Sequence, residues 1–132
     1  MSMAYSNSYS SYKETQVKTA SPGTLILLLY DGVLSNIRKG EAGLQSETDF
    51  VNSASHLMKA IEIVSELIGI INPTHAPELA KGLSDSYQYV LNLLTDALKE
   101  RDQASLDKAF EVISSLKTAW QEVIEKTERH VE

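Results

Sequence analysis

The chain has 132 residues, 42% hydrophobic and 23% charged, which fits one ordinary domain with a core of its own. Its 18 acids against 12 bases give a formal net charge of −6, the wrong sign for coating nucleic-acid phosphates or an anionic membrane. With no cysteine there is no disulfide scaffold, thiol nucleophile or Cys-based zinc site, and the longest apolar run, Leu25 to Tyr30, falls well short of the ~20 residues of a membrane span.

Met1 to Lys18 is rich in serine and carries three tyrosines, Tyr5, Tyr9 and Tyr12, with Val17 as its one aliphatic residue beyond alanine and methionine. It lacks the basic-then-apolar order of a secretory signal, so a cytoplasmic protein is expected. The tyrosines are spaced four and three apart, a pattern that a short helix would gather on one face. As free chain this segment has too little to bury, which predicts a mobile arm over 1–18 followed by a single helical domain over 19–132.

Four helical periods follow. The first opens at Ser21-Pro22, a capping residue before a proline whose missing N–H costs nothing at the first helical position. Ile26, Tyr30, Val33 and Ile37 form its stripe, and Gly40 and Gly43 mark the exit. The second opens at Ser46-Glu47-Thr48-Asp49, which resembles a capping box, and carries a seam of Phe50, Ala54, Leu57, Ile61, Val64, Ile68 and Ile71. Asn72 to Pro77 is a breaker with two prolines. Pro77 begins a third stripe of Leu79, Leu83, Tyr87, Leu91, Leu94 and Leu98. Asp102 is the candidate N-cap of the fourth, whose stripe is Leu106, Ala109, Ile113, Leu116, Trp120 and Val123. Short joints between long helices favour antiparallel neighbours, so the expectation is an all-α, up-down four-helix bundle without a second domain.

Chemistry is sparse. A di-iron bundle needs Glu-x-x-His pairs on two helices, and the chain has none, so no metal and no cofactor is expected. Ser105-x-x-Lys108 is a four-residue match that chance supplies often, and the bland reading is a solvated first turn. His56-Leu57-Met58-Lys59-Ala60 resembles the His-x-x-Lys-Gly segment of histidine phosphotransfer bundles, with alanine in place of the glycine. The competing reading of His56 and Lys59 is the wet flank of the second helix. Phe50, Phe110 and Trp120 sit at core spacing, with Trp120 expected to be buried between helices. Tyr87 and Tyr89 lie about 200° apart around a helix, so they cannot share one face. Apolar residues beyond the stripes (Leu25, Leu27, Leu28, Leu29 and Leu34 in the first helix, Val90 and Leu93 in the third) either meet two neighbours inside the bundle or line grooves for a partner.

Taken together, Tyr12-x4-Val17-x-Thr19-Ala20-Ser21-Pro22-x2-Leu25-x3-Leu29-Tyr30-Asp31-Gly32 resembles the opening signature of the FliS family, flagellar secretion chaperones that bind flagellin. The likeness continues through Lys59-Ala60-x2-Ile63-x2-Glu66-Leu67 and Tyr87-x-Tyr89-x4-Leu94-x2-Ala97, then Asp102, Leu106, Leu116 and Ala119-Trp120. The chain departs from the family at His75-Ala76-Pro77-Glu78, in place of a Gly-Gly-Glu turn, and at Asn92-Leu93, where a basic pair often stands.

The resemblance implies a cytosolic export chaperone and not an enzyme. It would hold the disordered C-terminal region of flagellin against its bundle, prevent premature polymerisation and support delivery to the flagellar type III export apparatus. An export-gate component and flagellar regulators are further implied partners; nucleic acid and membrane insertion are not. Carried over by position, the implied client-binding residues are Tyr9, Tyr12 and Val17 of the arm with Tyr87, Tyr89, Leu93 and Leu94 of the third helix, the arm being displaced by client. A histidine phosphotransfer bundle using His56 and a non-catalytic helical scaffold are the alternatives.

Overall fold

The computed structural model describes residues 22–74 and 76–131, with side chains described through residue 127. The expected arm over 1–18, the Ser21 cap and His75 therefore lie outside the described residues. Four helices follow in chain order: α1 Pro22–Glu41, α2 Phe50–Gly69, α3 Pro77–Glu100 and α4 Gln103–Val131. Each packs against the next, and α4 returns to α1, closing an antiparallel ring in which α1 and α3 stand diagonally opposite. No strand occurs among the described residues.

Breakers and caps set the boundaries. Pro22 lies in the first turn of α1 and Pro77 in that of α3, both as expected. The Ser46 box behaves differently from its sequence reading. Ser46 Oγ does accept the Asp49 N–H at 3.1 Å, but this closes a turn, and α2 begins only at Phe50. Between α3 and α4 the chain reverses in two residues. Arg101 takes a left-handed conformation at φ 53°, and the Asp102 carboxylate accepts the Ala104 N–H at 3.0 Å.

The buried lines keep part of each predicted stripe and shift the rest: Tyr30, Val33 and Ile37 on α1, Leu57 and Val64 on α2, Tyr87 and Leu94 on α3, and Leu106, Ala109 and Ile113 on α4 are buried as expected. On α2 the deepest residues are Ser53, Leu57, Ala60, Val64 and Leu67, while Phe50, Ile61 and Ile68, with Ile71 just beyond the helix, pack at the edge. On α3 they are Ala80, Tyr87, Val90, Leu94 and Ala97, with Leu83, Leu91 and Leu98 at the edge and Leu79 exposed. On α4, Leu106, Ala109 and Ile113 are buried, Leu116 and Trp120 are peripheral and Val123 is exposed. The reason is steric: small residues such as Ala60, Ala97 and Ala109 occupy the deep line where helices approach closely, and bulky ones flank it.

One end of the bundle is tied together. A Cβ on Gly40 would stand 2.7 Å from Leu57 Cγ, and one on Gly43 would stand 2.9 Å from the Asp49 carbonyl oxygen, so both glycines allow α1 to close on α2. Gln45 donates to the Arg101 carbonyl at 2.6 Å, and the Arg101 guanidinium stacks 3.9 Å from the Phe50 ring centre. Gln103 donates to Glu41 at 3.0 Å, and Arg38 covers the Phe110 ring at 3.8 Å. These contacts draw all four helices into one junction.

Candidate functional site

The opposite end is not closed in this way. There the start of α1, the end of α2 and the start of α3 diverge around an apolar trough of about 350 Å³. Leu25 and Ile26 form one wall, Leu67 and Ile70 another, and Leu79 and Leu83 a third. Trp120 of α4 completes it, its indole N–H donating to the Gly23 carbonyl at 3.0 Å. At the lip, Ile70 is 46% exposed and Leu79 60% exposed, so large aliphatic side chains face water beside an apolar hollow.

Tyr30 and Tyr87 form the floor. They reach from α1 and α3 across the bundle's diagonal, and their hydroxyls meet at 2.7 Å. The rings meet edge to face with centroids 6.3 Å apart, and the residues are 1% and 2% exposed. Burial raises the pKa of both phenols above the usual 10, so both hydroxyls stay protonated and neutral. Tyr30 lies eight residues into α1, roughly 12 Å down the axis from the rim at Pro22.

The residues singled out from sequence do not share one surface. Tyr87 belongs to the trough floor and to the core, and Leu94 is buried completely, so neither presents an outer face to a partner. Tyr89 points away from Tyr87, as the helical arc requires, and is 45% exposed. Leu93 is partly buried against the core, and neither Tyr89 nor Leu93 lines the trough. Tyr9, Tyr12 and Val17 lie outside the described residues. Trp120, expected in the core, is a half-buried wall of the trough, and Leu79, assigned to the third stripe, is part of its lip.

The remaining candidate chemistry is quiet. Ser105 Oγ–H donates to the Asp102 carboxylate at 2.9 Å, which commits it to the α4 cap, and Lys108 sits 3.6 Å from Glu111. His56 is partly buried, with Nδ1 3.3 Å from Asn36 Oδ1, while the Asn36 amide donates to the Gly32 carbonyl at 2.9 Å. Desolvation, then Lys39 and Lys59, hold the His56 pKa below its ordinary 6.5. No group of three metal-ligating side chains occurs among the described residues. What the arrangement offers is therefore an apolar cleft with one polar feature at its base.

A family model described as flagellar protein FliS matches residues 5–127. The flagellar secretion chaperone FliS of Bacillus subtilis is 31% identical over 97% of this chain and 96% of its own length. The protein of the same name from Vibrio cholerae is 27% identical over 83% of the chain and 80% of its own length, and that from Salmonella typhimurium 29% over 86% and 84%. The match runs through all four helices and both trough tyrosines, and the chain belongs to the FliS family of flagellar secretion chaperones.

Proposed function

We propose that this chain is a cytoplasmic export chaperone. It binds the C-terminal region of a flagellin, keeps it from polymerising early and supports its delivery to the type III export apparatus, where an export-gate component and flagellar regulators are its further partners. The observation that carries this reading is the apolar trough with Ile70 and Leu79 exposed at its lip. A disordered client gains from folding an apolar helix face into a groove already formed between helices, and the outward Tyr89 and half-buried Leu93 extend apolar contact along α3. The FliS membership favours this reading over a phosphotransfer module or an inert scaffold. No helix among the described residues is long and apolar enough to cross a membrane.

In the same reading residues 1–18 form an arm that lies over the trough until client displaces it, and residues 19–132 form the binding domain. Calorimetry with a peptide covering the C-terminal region of a flagellin tests the proposal. The expected result is a one-to-one complex with a large negative heat-capacity change, because the client buries apolar surface as it orders. Absence of binding at tens of micromolar removes the chaperone reading. The arm has its own control: a chain lacking residues 1–18 should bind the peptide more tightly, and unchanged affinity would leave the arm without that role.

A further inference from the structure

The chain carries a net charge of −6, yet one seam on its surface is cationic. Asn36 of α1 and His56 of α2 meet across that seam, with Nδ1 3.3 Å from Oδ1. Lys39 stands three residues beyond Asn36 along α1, and Lys59 three residues beyond His56 along α2. Because the two helices are antiparallel, the lysines lie on opposite sides of the pair, their backbones about 9 Å apart along the bundle. Both are exposed, and neither makes an ion pair among the described residues. Arg38, Lys81, Lys108 and Lys117, by contrast, each hold a carboxylate. The nearest acids in the two helices do not cancel the patch: Glu41 is bonded to Arg38 and Gln103, and Glu62 makes no ion pair with Lys59.

The imidazole between these cations is oriented. The Gly32 carbonyl can only accept, so it holds the Asn36 amide nitrogen at 2.9 Å and turns Oδ1 toward His56. Oδ1 is an acceptor, so Nδ1 carries the hydrogen of the neutral ring, and Nε2 holds the lone pair that takes up a proton. Protonation then adds an N–H at Nε2 without disturbing the bond to Asn36. The helices that meet at the ring are α1 and α2, and the charged groups acting on it are Lys39 from the first and Lys59 from the second. Together with desolvation they oppose that proton, and an anion seated between them would reverse the balance.

We propose that Lys39, His56 and Lys59 form a docking site for an acidic segment of a partner protein, whose carboxylates pair with the two ammonium groups and accept a hydrogen bond from Nε2 of the protonated ring. The spread of the cations favours a peptide over a compact anion. Two positive charges about 9 Å apart match acids about three residues apart in an extended chain, which advances roughly 3.3 Å per residue. The rest of this acidic chain repels such a segment, so the seam also decides where it lands. None of Asn36, Lys39, His56 and Lys59 lines the trough, so the site is separate from the client reading and can be filled while the trough is occupied.

Fluorescence anisotropy of the full chain with a labelled peptide of Glu-Ser-Ser repeats, at low ionic strength, tests this beside a Gln-Ser-Ser control. The expected result is binding of the glutamate peptide alone, tightening roughly three- to tenfold from pH 8 to pH 6 as His56 takes up a proton. His56→Gln should keep the binding at pH 8 and lose the tightening. Lys39→Gln/Lys59→Gln should weaken binding roughly five- to tenfold at both pH values, the worth of two exposed ion pairs, while Lys39→Arg/Lys59→Arg binds like the native chain. Proton NMR of the imidazoles should show the peptide raising the His56 pKa. Equal binding of the glutamine peptide, or affinity untouched by Lys39→Gln/Lys59→Gln, overturns the proposal. Tightening that persists in His56→Gln also overturns it, since the proton would then go to His75, His130 or another group. If inorganic phosphate displaces the peptide and raises the His56 pKa further than the peptide does, the seam reads a compact anion and the peptide assignment falls.

Discussion

The same chemical change, glycine to alanine, should have opposite signs at Gly40 and Gly82. Both lie inside helices, where alanine is favoured by up to about 1 kcal/mol through lower chain entropy. At Gly82, on the exposed face of α3, an added Cβ meets nothing within 4 Å, so Gly82→Ala should collect most of that gain. At Gly40 the added Cβ would stand 2.7 Å from Leu57 Cγ and 3.2 Å from the Ser53 carbonyl oxygen. Leu57 is fully buried and cannot swing aside without moving its neighbours, so the clash carries the usual overpacking cost of about 1–3 kcal/mol. Contact with both Leu57 and the Ser53 backbone puts the cost in the upper part of that range, about 2–3 kcal/mol, and subtracting the propensity gain leaves Gly40→Ala destabilised by about 1–2 kcal/mol, or roughly 4–8 °C in melting temperature for a domain of this size. Thermal melts followed by circular dichroism, supported by urea midpoints, measure both variants. A Gly40→Ala protein as stable as wild type would refute the close approach of α1 to α2, and a destabilised Gly82→Ala would refute the assignment of that residue to an open helix face.

Three further outcomes are expected. Asp102→Ala should cost about 1 kcal/mol in urea unfolding by removing the acceptor at the start of α4, and Asp102→Asn should recover most of it. Trp120→Phe should lower stability by about 1 kcal/mol, since it leaves the Gly23 carbonyl without its indole donor; no change would mean that this bond does not hold α4 to α1 in solution. His56 binds protons less readily in the folded than in the unfolded chain, so its contribution is intact above pH about 6.5 and declines as pH falls through that value. Urea midpoints at pH 7.5 and 5.5 should therefore fall less for His56→Gln than for wild type, by a small margin because His56 is only partly buried.

How much of this was legible in the sequence depended on the range of the interaction. Pro22, Pro77 and Asp102 act within one turn of themselves, and each helix start they predict is present. On α2 the sequence seam correctly holds Leu57 and Val64 but is one position off elsewhere, because apolar size was taken as depth, whereas Ala60 and Leu67 occupy the deep line and Ile61 and Ile68 its border. The trough was not legible at all. It is assembled from the ends of helices separated by as much as 97 residues, as the Trp120–Gly23 bond shows, and no local period encodes such an arrangement. Leu79 has the spacing of a core residue but stands in the first turn of α3, beyond the level at which the neighbouring helices close. Tyr30 and Tyr87 each fit their stripes, yet nothing in either stripe says that two phenols 57 residues apart face one another.

The contrast between the two ends of the bundle has a mechanical consequence. Gly40, Gly43, Gln45, Arg101, Asp102 and Gln103 bind the helices at one extremity, so that extremity acts as a fulcrum and the helices behave as tines fixed at their base. Thermal splaying then grows with distance from the fulcrum and is greatest about 30 Å away, one helix length, where Pro22, Ile70 and Leu79 stand. The mouth can widen to admit or release a bulky side chain while the base keeps its register, at a free energy far below that of global unfolding. Amide exchange should accordingly rise along each helix toward the mouth, and stiffening the base would leave the rates there almost unchanged.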